Sequence, residues 1–292
     1  MKSYFQKPGD ARPQLHYSHI SRLIMCGEQF RRIYICGDRA APGVALIIGS
    51  SVHVAVEKDL KFKGVTKELM KDSDVRDAAR DAFISEWEST PILLDDDERI
   101  KGLEAVKGES LDLTVELAAL HHTQAAPHIT IDKPEDVERL FVIRTAERGY
   151  DFDIGGKIDV TERDAAPSSS GVSLSAIRDT KTKKQSPPQN IADVSEQLTI
   201  YAMAHTVLEG RPPASVNLDY LVKTKTPKYV PLQSTRTHGD FKIFLRRFEK
   251  YVETIQKGIF LPADPSHWCC SEKFCGFARD GSCPYFRGAV KG

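Results

Sequence analysis

Two stretches in the middle of the chain decide the fold: YDFDIGGKIDVTER at 150–163 and LSAIRDTKTKK at 174–184. Each contains a strand candidate with apolar residues in its first part, and each strand candidate carries a carboxylate near its end, Asp159 and Asp179. Strand side chains alternate between faces with a period of two, so Asp179 and Lys181 point to the same face. If the two strands are neighbours, they bring two carboxylates and one ammonium group together.

These three groups predict a metal site with an attached cation. Two aspartates, a backbone carbonyl and waters suit Mg²⁺, which prefers oxygen ligands. A lysine beside the metal holds or helps to deprotonate a water, as phosphodiester hydrolysis requires. His53 would add an imidazole ligand and favour Mn²⁺. The alternative for Asp179 and Lys181 taken alone is a surface ion pair on an edge strand.

Hydrophobic spacing predicts helices on both sides of these strands. The first predicted helix begins at Tyr17, with Ser18 as its N-cap and Cys26 inside it. The second covers Ala45–Leu60, with an entry at Gly49-Ser50-Ser51, and most of 65–125 is expected to be a helical cap or lid. Two further helices are predicted at Asp193–Leu208 and Asp240–Lys257. Ser195 or Asp193 caps the helix Asp193–Leu208. Gln197 and Tyr201 share one face of this helix because they are four residues apart.

Further strands are predicted at Val137–Ile143, with Glu138 near its start, and at Val216–Val222. The Ser-rich segment Asp164–Ser173 reads as a flexible hairpin connection between the two central strands. Strands that alternate with helices indicate an α/β fold in which helices cover a mixed sheet. We therefore expect one large domain over residues 17–292, preceded by a weakly ordered leader at 1–16.

Composition excludes some classes of function. The chain has 292 residues, a formal net charge of zero and 28% charged residues, so a uniformly basic nucleic-acid coat is excluded while a local basic groove is not. No apolar run reaches the roughly 20 residues of a membrane span, and no apolar signal segment opens the chain. We expect a cytoplasmic protein.

Four of the six cysteines lie close together near the end of the sequence, namely Cys269, Cys270, Cys275 and Cys283. In a reducing compartment such clustering favours metal ligation over a disulfide framework. The segment 262–292 is therefore expected to be a Cys-rich tail that packs back on the N-terminal helix.

Four blocks of residues, in this order, resemble the PD-(D/E)XK nuclease superfamily in its RecB-type branch, which includes CRISPR-associated RecB-like exonucleases and phage exonucleases. The blocks are Ser18-x-x-Ser21 leading to Cys26, Gly49-x-x-x-His53, Gly156-Lys157-Ile158-Asp159 followed by Asp179-Thr180-Lys181-Thr182, and Gln197-Leu198-x-x-Tyr201. The resemblance extends from about Tyr17 to about Tyr285. It implies a restriction-endonuclease-like core. The long Ser-rich insertion between the two aspartates departs from the family pattern.

The resemblance also implies roles for individual residues. His53, Asp159, Asp179 and the carbonyl of Thr180 would bind Mg²⁺ or Mn²⁺, and Lys181 would be the catalytic lysine. Glu138 resembles an outer acidic residue that reaches the metal through water. Gln197 and Tyr201 would position the substrate strand or support the site.

In some RecB-type nucleases one N-terminal and three C-terminal cysteines hold a [4Fe–4S] cluster. Cys26 resembles the first, and Cys270 or Cys269, Cys275 and Cys283 resemble the others. The spacing from Cys270 to Cys275 is wider than the C-x-x-C of many such clusters. Zinc on the same thiolates, or a reduced set without metal, stays open.

The leading hypothesis is a metal-dependent DNA exonuclease or end-processing nuclease that acts on DNA ends or single strands in recombination, repair or phage DNA metabolism. The alternatives are a catalytically silent DNA-binding protein with a structural Fe–S or zinc site, and a redox-sensing Fe–S protein. A recombination or replication partner and an oligomer both stay open, since some relatives form rings around DNA.

Overall fold

A six-stranded mixed sheet organises the chain in the computed structural model, which describes residues 5–6, 9, 11–163 and 175–286. The strands are β1 Gln14–Leu15, β2 Val137–Ile143, β3 Asp153–Arg163, β4 Ser175–Lys183, β5 Ser215–Val222 and β6 Lys228–Ser234. Their order is β1-β3-β4-β5-β6, and β2 pairs with β3. β1 is parallel to β3, and β4 is parallel to β5, while the other pairs are antiparallel. The predicted α/β class with a mixed sheet is confirmed.

Helices cover both faces of this sheet. They are α1 Tyr17–Met25, α2 Gly27–Phe30, α3 Val44–Thr66, α4 Asp72–Ser89, α5 Asp96–Lys101, α6 Leu103–Gln124, α7 Ile191–Val194, α8 Glu196–Glu209, α9 His238–Gln256 and α10 Gly276–Arg279. A π-helical segment, Arg31–Cys36, follows α2. Within the described residues, 3₁₀ turns lie at Ala126–His128, Pro134–Asp136 and Ala146–Arg148.

Two hydrophobic clusters hold the layers together. On one face, Ile158, Ile177 and Leu218 of the sheet pack with α8 and α9. On the other, Val160 and Leu221 pack with α3, α4 and α6. The burial of these apolar side chains is the main favourable term for the fold. The sheet is thus packed between two helical layers, and the polar residues described below lie at the ends of its strands.

The predicted helical character of the 65–125 region is confirmed by α4, α5 and α6. α3, α4 and α6 pack against one another. Their small buried residues Ala55, Ala79 and Ala118 form a separate close-packed cluster. These helices cover one face of the sheet, and the cluster containing Val160 joins the two layers.

Several local expectations were wrong. The leader expected to be weakly ordered includes β1, in which Leu15 is fully buried, and Arg12 bonds to Asp153 at 2.8 Å. His16 rather than Ser18 is the N-cap of α1, and Cys26 lies in the extended backbone between α1 and α2 rather than inside a helix. The helix that carries His53 begins earlier than expected. The expected connection Asp164–Ser173 lies outside the described residues.

Candidate active site

The two aspartates lie where β3 and β4 separate. The last residue pair of the two strands is Val160 with Arg178, so Asp159 and Asp179 are the first residues beyond it. β2 and β4 both pair with Val160, and β2 and β1 both pair with Ile154, so β1 and β4 lie along the same edge of β3. Between them, none of the described strands pairs with residues 155–159 of β3 on this edge, which leaves an opening between β1 and β4. The carboxylate of Asp159 projects beside this opening.

Asp179 and Lys181 lie on the same face of β4, as the two-residue spacing predicts. Lys181 Nζ is 3.0 Å from Asp179 Oδ1 and 2.8 Å from Oδ2. The carboxylate is completely buried, whereas the lysine is partly exposed. Because a buried carboxylate needs a nearby cation or hydrogen-bond donors, this pair fixes Asp179 at the end of the opening.

Two residues of α8 connect the aspartates. Ser195 caps this helix, as predicted, by accepting a hydrogen bond from the backbone of Leu198. Gln197 Nε2 donates to Asp179 Oδ1 at 3.0 Å and to the Tyr201 hydroxyl at 2.8 Å. The Tyr201 hydroxyl in turn donates to Asp159 Oδ1 at 3.4 Å. The predicted i, i+4 pair therefore links both carboxylates from one side of the sheet.

His53 approaches from the other side of the sheet, on α3. Its Nδ1 atom is 3.6 Å from Asp159 Oδ2, to which the Thr180 backbone N–H donates at 3.4 Å. Gly49, one turn before His53, lets the helix come close to β4, since a Cβ there would be 3.3 Å from Thr182 Oγ1. The close packing of α3 on β4 thus explains why a glycine stands at this position of the Gly49-x-x-x-His53 pattern.

Glu138 lies directly across from Asp159. Val137 pairs with Val160 and Arg139 with Ile158, which places Glu138 opposite Asp159. The backbone of Glu138 is left-handed, with φ of 57°, a strained conformation for a side chain of this kind. Its carboxylate pairs with Lys157.

The pKa values of the site residues are shifted because two carboxylates lie close together and are buried. Burial and the neighbouring charge of Asp179 raise the pKa of Asp159 well above its ordinary value. Burial and Asp159 likewise raise the pKa of Tyr201. Burial alone would lower the pKa of Lys181, but Asp179 and Asp159 outweigh it and raise that pKa, so the amine is an ammonium ion at neutral pH.

The pKa of His53 is shifted in the opposite direction, downwards. Burial, followed by the charge of Lys181, lowers the pKa of its imidazole. The ring is therefore neutral at physiological pH and retains a nitrogen lone pair. A neutral imidazole is the form that ligates a metal.

An open cleft of about 610 Å³ gives solvent access to these groups. Its lining includes Asp159, Lys181, Gln197 and Tyr201, and it also includes residues that sequence reasoning did not assign to the site, notably Tyr17, Ser21, Arg22 and Lys157. For Lys157 a signal existed, because it is two residues before Asp159 in Gly156-Lys157-Ile158-Asp159. For the α1 residues the helix pattern and the Ser18-x-x-Ser21 block were visible, but neither indicated which face of the helix lines the cleft.

A divalent cation such as Mg²⁺ needs several donor atoms arranged around one point. Over the described ranges, no three His, Cys, Asp or Glu side chains are gathered closely enough to hold a metal ion. The donor chemistry nevertheless fits: Asp179 Oδ2 is buried and accepts no hydrogen bond of good geometry, although Lys181 is close to it. A buried oxygen with a free lone pair, beside a second carboxylate and a neutral imidazole, is a suitable ligand set for Mg²⁺ or Mn²⁺.

A second cluster forms at the junction of α1 and α2. Five cysteines line one small cavity of about 20 Å³: Cys26, Cys269, Cys270, Cys275 and Cys283. Two contacts hold the chain after α9 against this junction: Gly27 N donates to Leu261 O at 2.7 Å, and Ala263 N donates to Cys26 Sγ at 3.4 Å. Gly27 is required there, because a Cβ would be 2.7 Å from the Leu261 backbone. The C-terminal segment thus lies against the N-terminal helices.

Cys269 and Cys270 differ in their contacts. Cys269 Sγ lies 2.9 Å from His267 Nδ1 and 3.7 Å from the Met25 carbonyl. Burial and the nearby cysteines raise the pKa of Cys269 to about 11, and burial also raises the pKa values of Cys270 and Cys283. Without a bound cation these three thiols are protonated at neutral pH.

Comparison with models of known protein families finds no match for this chain, and comparison with curated proteins finds none either. None of the described helices is long and apolar enough to cross a membrane.

Proposed function

We propose that the chain is a divalent-metal-dependent deoxyribonuclease with a restriction-endonuclease-like core. The observation that carries the proposal is the convergence of Asp159, Asp179 and Lys181 at the point where β3 and β4 separate, with Lys181 Nζ 2.8 Å from Asp179 Oδ2. This set lies in an open cleft, so an extended substrate has access to it.

In this proposal His53, Asp159, Asp179 and the Thr180 carbonyl would hold Mg²⁺ or Mn²⁺. The bound ion would supply Lewis-acid stabilisation of the phosphate and a more acidic water. It would also relieve the repulsion between the two carboxylates that raises the pKa of Asp159. Glu138, opposite Asp159, would contribute through a water.

The protein's own groups then have distinct tasks. The Lys181 ammonium lies within reach of the cleft and would orient the attacking water or neutralise a phosphate oxygen. Gln197 and Tyr201 would hold the two carboxylates in place, since they bond to both. Their hydroxyl and amide are therefore positioning groups rather than acids or bases.

The test is nuclease activity of the full chain, purified under nitrogen, on end-labelled linear DNA and closed circular DNA with Mg²⁺ or Mn²⁺. Asp179→Asn and Lys181→Gln should each reduce cutting by at least about a hundredfold. Because Lys181→Gln leaves the buried Asp179 carboxylate without its cation, the thermal midpoint of that variant should also fall, so cutting is measured well below that midpoint. Asp112→Asn, at an exposed position of α6, is the matched control.

Equal rates for the three variants would remove the proposal. Resistance of closed circles would support exonuclease action, whereas their linearisation would assign an endonuclease. DNA binding without any cutting would instead favour the catalytically silent alternative.

We also propose that Cys26, Cys270, Cys275 and Cys283 would draw together around a [4Fe–4S] cluster, with zinc as the alternative, although no three of the described side chains are gathered closely enough to hold a metal ion as they stand. The support is that all four thiols line one cavity although they are far apart in sequence. Cys270 is preferred because the Cys269 thiol already contacts His267 and Met25. The group would be a structural clamp between the N-terminal helices and the C-terminal segment.

A further inference from the structure

Three lysines lie together where β4 and β5 end. Lys183 is the last residue of β4, and Lys184 follows it. Lys223 follows β5, and its backbone N–H donates to the Lys183 carbonyl at 2.7 Å. Because the two strands are parallel, both segments leave the sheet at the same edge. The three side chains therefore start from neighbouring points of the backbone.

Lys223 is the most buried of these three lysines. Lys183 and Lys184 are exposed, whereas Lys223 is half-buried. Lys223 lines an open groove of about 420 Å³, whose wall also includes apolar residues of α3 and α6, namely Val44, Ile48, Val106 and Leu113. A half-buried amine beside apolar side chains loses part of its hydration, so this position disfavours the charged form.

Three carboxylates on the wall of this groove interact with other groups. Lys273 Nζ is 3.1 Å from Asp95 Oδ2 and 3.8 Å from Asp97 Oδ2. Glu98 accepts a hydrogen bond from the backbone of Asp95 at 2.8 Å. Burial alone would raise the pKa of Asp95, but its hydrogen bond with the Glu98 backbone and the charges of Lys273 and Lys184 outweigh burial and lower that pKa. Lys184 thus has an acidic neighbour.

Lys223 has no such neighbour. Glu109, a further carboxylate of the groove, is paired with Lys101, whose Nζ lies 2.5 Å from Glu109 Oε2. Burial and the like charges of Lys184 and Lys183 lower the pKa of Lys223 to about 8, and no described carboxylate offsets them. Roughly a tenth of this amine is therefore uncharged at pH 7, with a free lone pair.

We propose that Lys223 is a nucleophilic lysine and a site of acylation by small activated acyl groups such as acyl phosphates, a property that goes beyond the proposed nuclease function. The Nζ lone pair forms a bond to the acyl carbon, and the bond from that carbon to the phosphate oxygen breaks. Inorganic phosphate leaves with the electron pair, and the nitrogen releases one proton to water. The product is an amide, and no atom changes its oxidation state.

The amide suits this position better than the ammonium ion does. It carries no charge, so it removes the repulsion from Lys183 and Lys184. The carbon atoms of the acyl group can contact the apolar wall of the groove. A desolvated amine next to other cations is also a setting in which lysine acts as a nucleophile.

The experiment treats the full chain with acetyl phosphate, without DNA or divalent metal, and follows the acetylation of each lysine by mass spectrometry. Lys250 is the internal reference, because it is exposed and its hydrogen bond with Glu253 raises its pKa. At pH 7 we expect Lys223 to react about tenfold faster than Lys250, or more. The ratio of the two rates should fall as the pH is raised towards 10, since both amines then lose their protons.

Two variants test the cause of this reactivity. Lys184→Gln removes one of the like charges and should slow the acetylation of Lys223 by about twofold or more. Lys242→Gln, at an exposed position of α9, removes a charge elsewhere and should leave that rate unchanged. Unfolding in concentrated urea should abolish the preference for Lys223, because burial and crowding are lost.

Equal rates at Lys223 and Lys250 in the folded protein at pH 7 would overturn the inference. So would a rate ratio that does not change with pH, a preference that survives in urea, or equal rates at Lys223 in the two variants. Because neither DNA nor metal is present, these outcomes do not depend on whether the chain cuts DNA.

Discussion

At the scale of single residues, the position of Asp159 follows from where its strand loses a partner. Inside the paired part of β3, side chains alternate between two packed layers, and a carboxylate would be costly there. At the first position beyond the β4 pairing, His53, Thr180 and Tyr201 all reach its oxygens. The sequence indicated that the two carboxylates would be close, but it could not indicate the opening that separates the strands.

Tyr201→Phe tests the hydroxyl that joins the two carboxylates. It removes the donor to Asp159 and leaves Gln197 with one acceptor fewer. Because hydrogen bonds to charged groups contribute about 1.5–3 kcal/mol, we expect cutting to slow by about tenfold or more. The thermal midpoint should change little. Tyr251→Phe, which loses a hydroxyl near Glu196 on the same helix layer, is the control and should cut normally.

At the scale of elements, the sequence predicted those whose periodic pattern is strong. β2 was predicted with its observed bounds. The helix predicted over Asp193–Leu208 is α8, which begins three residues later, and Ser195 is the one of the two proposed caps that it uses. β6 was missed because Pro231 interrupts its pattern, which an edge strand tolerates since β6 pairs only with β5. β1 was missed because two residues carry no periodicity. Its place is determined by pairing with β3, a long-range contact that local patterns do not encode.

Two glycines should respond to alanine in opposite ways. A Cβ at Gly156 in β3 would lie 2.8 Å from the buried Phe141 ring, so Gly156→Ala should destabilise the fold by about 1–3 kcal/mol. A Cβ at Gly108 in α6 would meet nothing within 4 Å, and Gly108→Ala should stabilise by about 0.5–1 kcal/mol. Urea unfolding measures both. Destabilisation by both changes to the same extent would contradict this packing argument.

An ion-pair network ties the end of β3 to β2 and α8, and it predicts acid sensitivity. Hydrogen bonds from Arg163 and Arg139 lower the pKa of Glu209 to about 2. Because the folded-state pKa is below the unfolded value, this contribution is present above about pH 4.5 and is lost as pH falls towards 2. Glu209→Gln should therefore cost on the order of 1–2 kcal/mol at pH 7, since solvent screens this partly exposed network, and much less near pH 2.

Urea unfolding at both pH values checks this expectation. Glu116→Gln, at an exposed position of α6, should leave the pH profile unchanged. A cost for Glu209→Gln that is as large in acid as at pH 7 would mean that lost packing, rather than the carboxylate charge, is responsible.

At the scale of the whole molecule, the two proposed metal sites should be distinguishable, because loss of one should affect DNA cutting and loss of the other should affect stability. The ion at the aspartates would serve the reaction, while the cysteine-bound group would join distant parts of the chain. We expect Cys275→Ser to lower bound iron or zinc and to lower the thermal midpoint. Cys36→Ser should do neither, because Cys36 is exposed and is not part of the lining of this cavity.

Metal and sulfide analysis with thermal unfolding measures these effects. Brief treatment with EDTA should stop cutting without moving the thermal midpoint of the wild type. An unchanged metal content in Cys275→Ser would contradict the cysteine assignment.

The helix α1 takes part in both regions. Tyr17, Ser21 and Met25 line the catalytic cleft, and the very next residue, Cys26, lines the cysteine cavity. Under the proposed assignments, a preparation left in air that loses its iron or zinc would free this helix to shift. Such an aged sample would stop degrading DNA while its far-UV circular dichroism spectrum was unchanged, so specific activity reports on storage better than circular dichroism does.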